Sequence, residues 1–318
     1  MSPVTSAVRP FLKWAGGKRQ LLPALRRFYP SDIRHYYEPF LGSGAVFFDL
    51  WSLGRLEGRA VSLTDGNADL IGCYLRVRDS VDALMAELEA LADGHGRRGS
   101  AHYYEVRNER FNPARAAWRA HGGAAAAYTP ALAAMLIYLN RTGYNGLFRQ
   151  NARGEFNVPA GRYTRPRILD APLLTATSAV LAAPQITIAE APFERAIAKA
   201  EGGDFVYFDP PYAPLSPTSA FRTYMAGGFS DEDQARLQAT AATLARRGVA
   251  VLLSNSTAPA IRRLYEQNAE ARGAGLRTCR VPARRAINSR GDRRGVIEEL
   301  LVSNQPGGKG RTATVTRS

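Results

Sequence analysis

At 318 residues, 45% of them hydrophobic and 22% charged, the chain can bury one sizeable α/β core plus a smaller lobe. No apolar run reaches the roughly 20 residues that span a bilayer, and no signal-peptide core opens the chain. Two cysteines without paired spacing and four scattered histidines argue against a disulfide framework or a metal site, so a reducing, cytoplasmic setting is expected.

The formal net charge is +14, and only Lys13, Lys18, Lys199 and Lys309 among the 42 Lys and Arg are lysines. A polyanionic partner is the sharper reading, and a solvated arginine-rich face the blander one. In chain order, the first distinctive string is Phe11-Leu-Lys-Trp-Ala-Gly-Gly-Lys18. It fails as a phosphate loop, which would need glycine at Leu12 and Ser or Thr at Arg19. An aromatic, two glycines and two lysines remain, which suit a loop facing a ligand; for Lys13 alone, plain surface charge is the alternative. Residues 36–38 read as a short strand running into Glu38-Pro-Phe-Leu-Gly-Ser-Gly44, and residues 61–65 as the next strand. The loop lacks the third glycine of a dinucleotide fingerprint. Asp65, 21 residues after Gly44, can accept hydrogen bonds from both hydroxyls of a ribose, although such loops also serve as plain turns.

Residues 68–134 read as helical, broken by glycine-rich loops at 95–99 and 121–123, and residues 131–140 form a strongly apolar helix. Residues 147–159 read as a hairpin around Asn151-Ala-Arg-Gly154, within a stretch (141–170) of net charge +4. Residues 205–208 are a buried strand, ended by Pro210 and Pro211. Ser230-Asp-Glu-Asp233 is a capping box for a helix ending at Arg246-Arg-Gly248. Residues 249–255 and 295–303 are further strands, and residues 305–318 read as a disordered basic tail.

Asp209-Pro-Pro-Tyr212 carries the clearest chemistry. The exocyclic amine of adenine is a poor nucleophile because its lone pair is delocalised into the ring. The Asp209 carboxylate and the Pro210 carbonyl, held rigid by the prolines, can accept hydrogen bonds from that amine and return electron density to nitrogen. Tyr212 offers a face for the base, and such stacking is worth roughly 1–3 kcal/mol. A turn with a helix-capping Asp is the plain alternative, less suited to a position directly after a buried strand.

These segments together resemble the Dam family of DNA adenine-N6 methyltransferases, which use S-adenosylmethionine. The resemblance runs from Phe11 to about Asn304 and includes Asp65-Gly-Asn-Ala-Asp-Leu-Ile71, Tyr138-Leu-Asn-Arg-Thr-Gly-Tyr-Asn-Gly-Leu-Phe-Arg149 and Gly154-Glu-Phe-Asn-Val-Pro-Ala-Gly-Arg-Tyr163. It also takes in Asp209-Pro-Pro-Tyr-Ala-Pro-Leu-Ser216 and Arg284-Arg-Ala-Ile-Asn-Ser289, in the order of the family's alpha group. It implies a Rossmann-like α/β sheet with helices on both faces. The catalytic domain would comprise residues 1–67 and 170–304, and a helical DNA-recognition domain with a β-hairpin residues 68–169.

The resemblance also implies roles. Trp14, Lys18, Glu38, Pro39, Phe40, Gly42, Gly44, Asp65 and Asp209 would hold the methyl donor, with no metal. Asp209, Pro210, Pro211 and Tyr212 would act on an adenine flipped out of the duplex. Tyr144 would insert into the gap, and Lys13 and Arg149 would read guanines. Leu147 and Pro159 would touch pyrimidines, Asn151 and Arg162 would grip phosphates, and Tyr163 belongs to the same DNA-binding set. The implied target is GATC in double-stranded DNA. The expected protein is a monomer in the cytoplasm, associated with the nucleoid; both a solitary role and one beside a cognate restriction endonuclease remain open. Residues 113–130 look inserted relative to shorter relatives, and Gln150 stands where an aromatic is frequent.

Two rivals stay in view: an enzyme that methylates RNA adenine or a protein glutamine, and a DNA-binding protein without catalysis. Asp rather than Asn at 209, and a hairpin unsuited to the narrow major groove of A-form RNA, weigh against the first. The intact Asp209 and donor loop weigh against the second.

Overall fold

The computed structural model describes residues 8–14, 16–213, 229–284 and 296–307. Most of the basic tail, residues 214–216 of the Asp209 motif and residues 285–289 of the downstream segment lie outside the described residues.

Seven strands form one sheet: β1 His35–Glu38, β2 Ala60–Asp65, β3 Ile186–Glu190, β4 Phe205–Phe208, β5 Ala250–Ser256, β6 Arg277–Arg284 and β7 Val296–Ser303. Their order is β3-β2-β1-β4-β5-β7-β6. The first five are parallel, and β7 runs antiparallel to both β5 and β6. β4 and residues 250–253 of β5 read as unbroken apolar runs because both faces are buried. Tyr36, Phe205, Tyr207 and Leu252 enter one hydrophobic cluster, while Tyr37, Val206, Phe208 and Leu253 enter the other.

The five strands expected from the sequence are present, and two more stand at the sheet's edges. β3 is only half covered, and β6 carries Arg277, Arg280 and Pro282, which an edge strand tolerates and a central one does not.

The segment between β2 and β3 is mainly helical: Ala68–Asp79, Val81–Arg98, Ser100–Glu105, a π-helical stretch Val106–Phe111, Asn112–Ala120 and Pro130–Thr142. Here the structure corrects one expectation. Residues 95–98 are not a loop; the helix runs through them to Arg98. The neighbouring Gly94 is a packing residue, because a Cβ there would lie 2.3 Å from His102 Nε2. The second break, at residues 121–123, is a turn. The side chains of this segment, among them Tyr103, Phe111, Tyr128 and Leu136, share a single cluster with one face of the sheet.

The expected hairpin has the right turn but no strand ladder. Isolated bridges Gln150–Phe156 and Gly143–Ala160 hold it, and Asn151 N–H donates to Glu155 O at 2.9 Å across the turn. The capping box is formed: Ser230 Oγ accepts from Asp233 N–H and the Asp233 carboxylate from Ser230 N–H, opening the helix Asp231–Arg246. Among the described residues no helix is long and apolar enough to cross a membrane.

Candidate active site and nucleic-acid interface

Strand order reverses between β1 and β4, and open α/β sheets bind ligands at the carboxyl ends of strands at such a point. Glu38 ends β1, Asp65 ends β2 and Asp209 follows β4, so backbone topology alone brings three carboxylates to one edge. They line an open cleft of about 1330 Å³ together with Trp14, Lys18, Pro39, Phe40, Gly42, Pro210, Pro211 and Tyr212. Of the residues assigned by resemblance to the donor and the adenine, Gly44 does not line this cleft; it underlies the loop, with φ +67° and Tyr74 packed where a Cβ would go.

Gly42 N–H donates to Asp65 Oδ2 at 3.0 Å and Asn67 N–H to Asp65 Oδ1 at 2.9 Å, so the glycine loop and the end of β2 are locked together. Gly42 has φ +48°, and a Cβ there would lie 3.1 Å from the Trp14 ring. Trp14 in turn stacks on Phe148, with centroids 5.6 Å apart. Glu38 is buried and accepts two hydrogen bonds on Oε2, from Tyr36 OH at 2.7 Å and Phe47 N–H at 3.0 Å. Burial, aided by the charges of Asp209 and Asp65, pushes its carboxyl up to about 8 despite those bonds. Burial pushes Asp65 up to about 6, opposed by the N–H donors of Gly42 and Asn67.

Lys18 is almost wholly buried and pairs with Asp209 Oδ1 at 2.8 Å. Ser254 Oγ donates to the same oxygen at 3.0 Å and is itself 2.9 Å from Tyr207 OH. Burial raises the Asp209 pKa, and Lys18 and Ser254 hold it back toward the ionised form. The loop after Asp209 is pinned from two sides. Gln234 Nε2 donates to Pro211 O at 3.0 Å, and Ser256 Oγ to Ala213 O at 2.9 Å. Tyr212 OH donates to Glu299 Oε2 on β7, and Lys18 Nζ stands 4.6 Å from the Tyr212 ring centroid.

The residues assigned to DNA form a surface beside this cleft. Asn140 clamps two segments: its Oδ1 accepts from Lys13 N–H at 2.8 Å, and its Nδ2 donates to Lys13 O at 2.6 Å and Gly146 O at 2.9 Å. Lys13 Nζ lies 4.4 Å from the Tyr163 ring centroid. Tyr144 and Tyr163 are exposed, and Tyr144 N–H donates to Pro159 O at 2.9 Å. Arg149 is exposed with its Nε donating to Asn157 Oδ1 at 2.8 Å. Arg162 is exposed too, whereas Leu147 packs partly against the core. The Asn151 side chain is engaged in its own turn, where its oxygen accepts from Arg153 and Glu155 N–H, both at 3.0 Å.

Sequence reasoning had assigned no role to Ser254, Gln234, Glu299, Phe148 or Asn140. A polar Ser254-Asn255 pair inside a buried strand and a carboxylate inside an apolar one were the available signals. Trp118, Arg119, Gly122 and Gly123, from the stretch that looked inserted, also line the cleft.

Over residues 14–278 the chain matches the family described as D12 class N6 adenine-specific DNA methyltransferase. It is 38% identical over 302 residues to a type II methyltransferase of Lactococcus lactis subsp. cremoris, covering 93% of this chain and 95% of that one. A type II methyltransferase of Methanocaldococcus jannaschii is 39% identical over 311 residues, with 93% and 99% covered. The DNA adenine methylase of Escherichia coli K12 is 36% identical over 299 residues, with 94% and 96% covered. Similarity that spans both sheet edge and hairpin, nearly end to end, leaves one assignment: the chain belongs to the D12 class of N6 adenine-specific DNA methyltransferases.

Proposed function

We propose that the protein transfers the methyl group of S-adenosylmethionine to N6 of an adenine flipped out of duplex DNA, with GATC as its target. The observation that carries this reading is the shared cleft. Asp209, oriented by Lys18 and Ser254 beside Tyr212, opens onto the same space as Glu38 and Asp65.

The residues present fit the donor. The cleft is lined by six acids (Glu38, Asp65, Glu190, Glu194, Asp209, Asp233) and three bases (Lys18, Arg119, Arg236), in a protein of net charge +14. An acidic interior suits a cation such as a sulfonium, and a basic exterior suits DNA. Gly42 leaves a close passage along Trp14 that a Cβ would fill. Trp14, Lys18, Glu38 and Asp65 would hold the donor, with Asp65 placed for ribose hydroxyls. When bound, S-adenosylmethionine supplies an already activated methyl group.

The protein's own contribution is acceptor geometry. Both bonds to Asp209 described above fall on Oδ1, so Oδ2 is the acceptor for the N6 amine. Pro211 O is occupied by Gln234, whereas among the described residues no hydrogen bond reaches Pro210 O, the second acceptor. Flipping costs a few kcal/mol of stacking and pairing, offset by stacking on Tyr212 and by phosphate contacts along Arg162 and its neighbours.

The raised carboxyls give a pH prediction. In the folded protein burial raises Glu38 to about 8 and Asp65 to about 6, both above the usual carboxylate range. Both therefore favour folding below their unfolded values and lose that contribution as pH rises to 6 and 8. Thermal melts of the donor-free protein should fall from pH 5 to 8, and saturating S-adenosylmethionine should flatten the slope by favouring the ionised forms. A slope of the opposite sign in the donor-free protein would mean that these carboxyls are not raised, and an unchanged slope with the donor would remove them from its site.

Expression in cells lacking adenine methylation, followed by single-molecule mapping of N6-methyladenine, tests the whole reading. Methylation at GATC supports it; another adenine-containing motif retains the enzyme and discards the inferred reading residues. In the same assay Arg149→Ala should relax discrimination at one guanine by about 10–100-fold, the loss of a bidentate base contact worth roughly 1–3 kcal/mol. Unchanged discrimination would show that Arg149 does not read a base.

A further inference from the structure

We propose that Glu299 is a positioning residue for methyl transfer, fixing the plane of the Tyr212 ring through its phenolic hydroxyl. This rests on the proposed role of Tyr212 as the stacking face for the flipped base. β7 lies between β5 and β6, and Leu300, Leu301 and Val302 are buried in its two clusters. A carboxylate in such a central strand has no solubility role to explain it. Glu299 pairs in register with Ser256 at the carboxyl end of β5, so the antiparallel course of β7 delivers a mid-strand side chain to the active-site edge. There it accepts the hydrogen bond from Tyr212 OH. Its pKa is raised by burial, and Lys18 favours its charged form.

The geometry around the ring explains why an anchor matters. Lys18 Nζ stands 4.6 Å from the centroid on one face, so a stacked base would take the other. Phenylalanine would stack as well as tyrosine, so the hydroxyl serves as the handle by which the ring is held. Glu299 can serve as that anchor because β7 belongs to the sheet.

The test uses the full chain on a duplex whose target adenine is 2-aminopurine, beside kinetics on the natural duplex. Glu299→Ala should lower kcat by about tenfold or more, as small misplacements of a reacting group do. Duplex Kd, the KM for S-adenosylmethionine and Tm should stay near wild type. Emission from the flipped 2-aminopurine should rise above the wild-type complex, because a swinging ring quenches less. Tyr212→Phe should give a comparable loss, and the double variant should lose no more than the worse single one.

Multiplicative losses in the double variant, or a kcat unchanged within about twofold, would overturn the proposal. If Glu299→Ala does not fold, the near-isosteric Glu299→Met, which offers no oxygen to accept from Tyr212 OH, decides by the same cycle. No emission change on wild-type binding would overturn flipping itself, and the kinetic cycle would still judge Glu299 on its own.

Discussion

Asp209→Ala is expected to lower methyl transfer by about 10²–10³-fold, the usual loss when one preorganised polar partner of a reacting group is removed. Duplex affinity should change little, because the surface formed by Lys13, Tyr144, Arg149 and Tyr163 lies outside the contacts of Asp209. Methyl incorporation into duplex DNA gives the first quantity, and fluorescence anisotropy with the same duplex the second. Proportionate loss of both would mean that Asp209 serves binding or folding. Among the described residues the variant leaves Lys18 with Gly16 O at 2.5 Å, the Tyr212 ring and the nearby Glu299 charge, so a melt belongs beside the kinetics. A modest fall in Tm with a large fall in kcat is the pattern expected of a catalytic acceptor.

The largest stability effect should come from Arg115→Met. Arg115 is buried and bidentate to the buried Asp69, with Nε–Oδ1 at 2.7 Å and Nη2–Oδ2 at 2.8 Å. Its remaining nitrogen donates to Gly154 O at the hairpin turn, and its guanidinium sits 5.7 Å from the Phe148 centroid. Removing it leaves Asp69 with Tyr128 OH at 3.2 Å and the more exposed Arg119 at 3.5 Å. Stranding a buried charge costs roughly 3–5 kcal/mol. In a chain of this size that lowers Tm by on the order of 10 °C. Removing the charge as well, in Asp69→Leu/Arg115→Met, should recover most of the loss, since well-packed apolar pairs replace buried ion pairs at little cost. A single variant melting with the wild type would refute the latch. Duplex affinity should fall in parallel, because Gly154 and Phe148 set the hairpin against Trp14 and the cleft it lines.

Much of this protein was determined by local sequence. The runs at β4 and in the first half of β5 carry the unbroken apolar pattern of strands buried on both faces, and Ser230 with Asp233 specifies its own helix start. Asp209-Pro-Pro-Tyr212 points to the proposed chemistry because rigid prolines and an acid directly after a buried strand suit a plain turn poorly.

Other features depended on partners distant in sequence, which only tertiary structure supplies. β3 and β6 are edges with one or no covered face, so their residues carry no two-sided pattern to read. Residues 95–98 look like a break in sequence, but the helix runs through them, with the neighbouring Gly94 packed against His102. Lys18 meets Asp209 across 191 positions, Lys13 meets Asn140 across 127 and Tyr212 meets Glu299 across 87. Each pairing follows from the strand order, which turns back at β1 and β4 and sends β7 antiparallel into the same edge. A polar side chain inside an apolar strand is visible in the sequence, but which atom it holds is decided by packing.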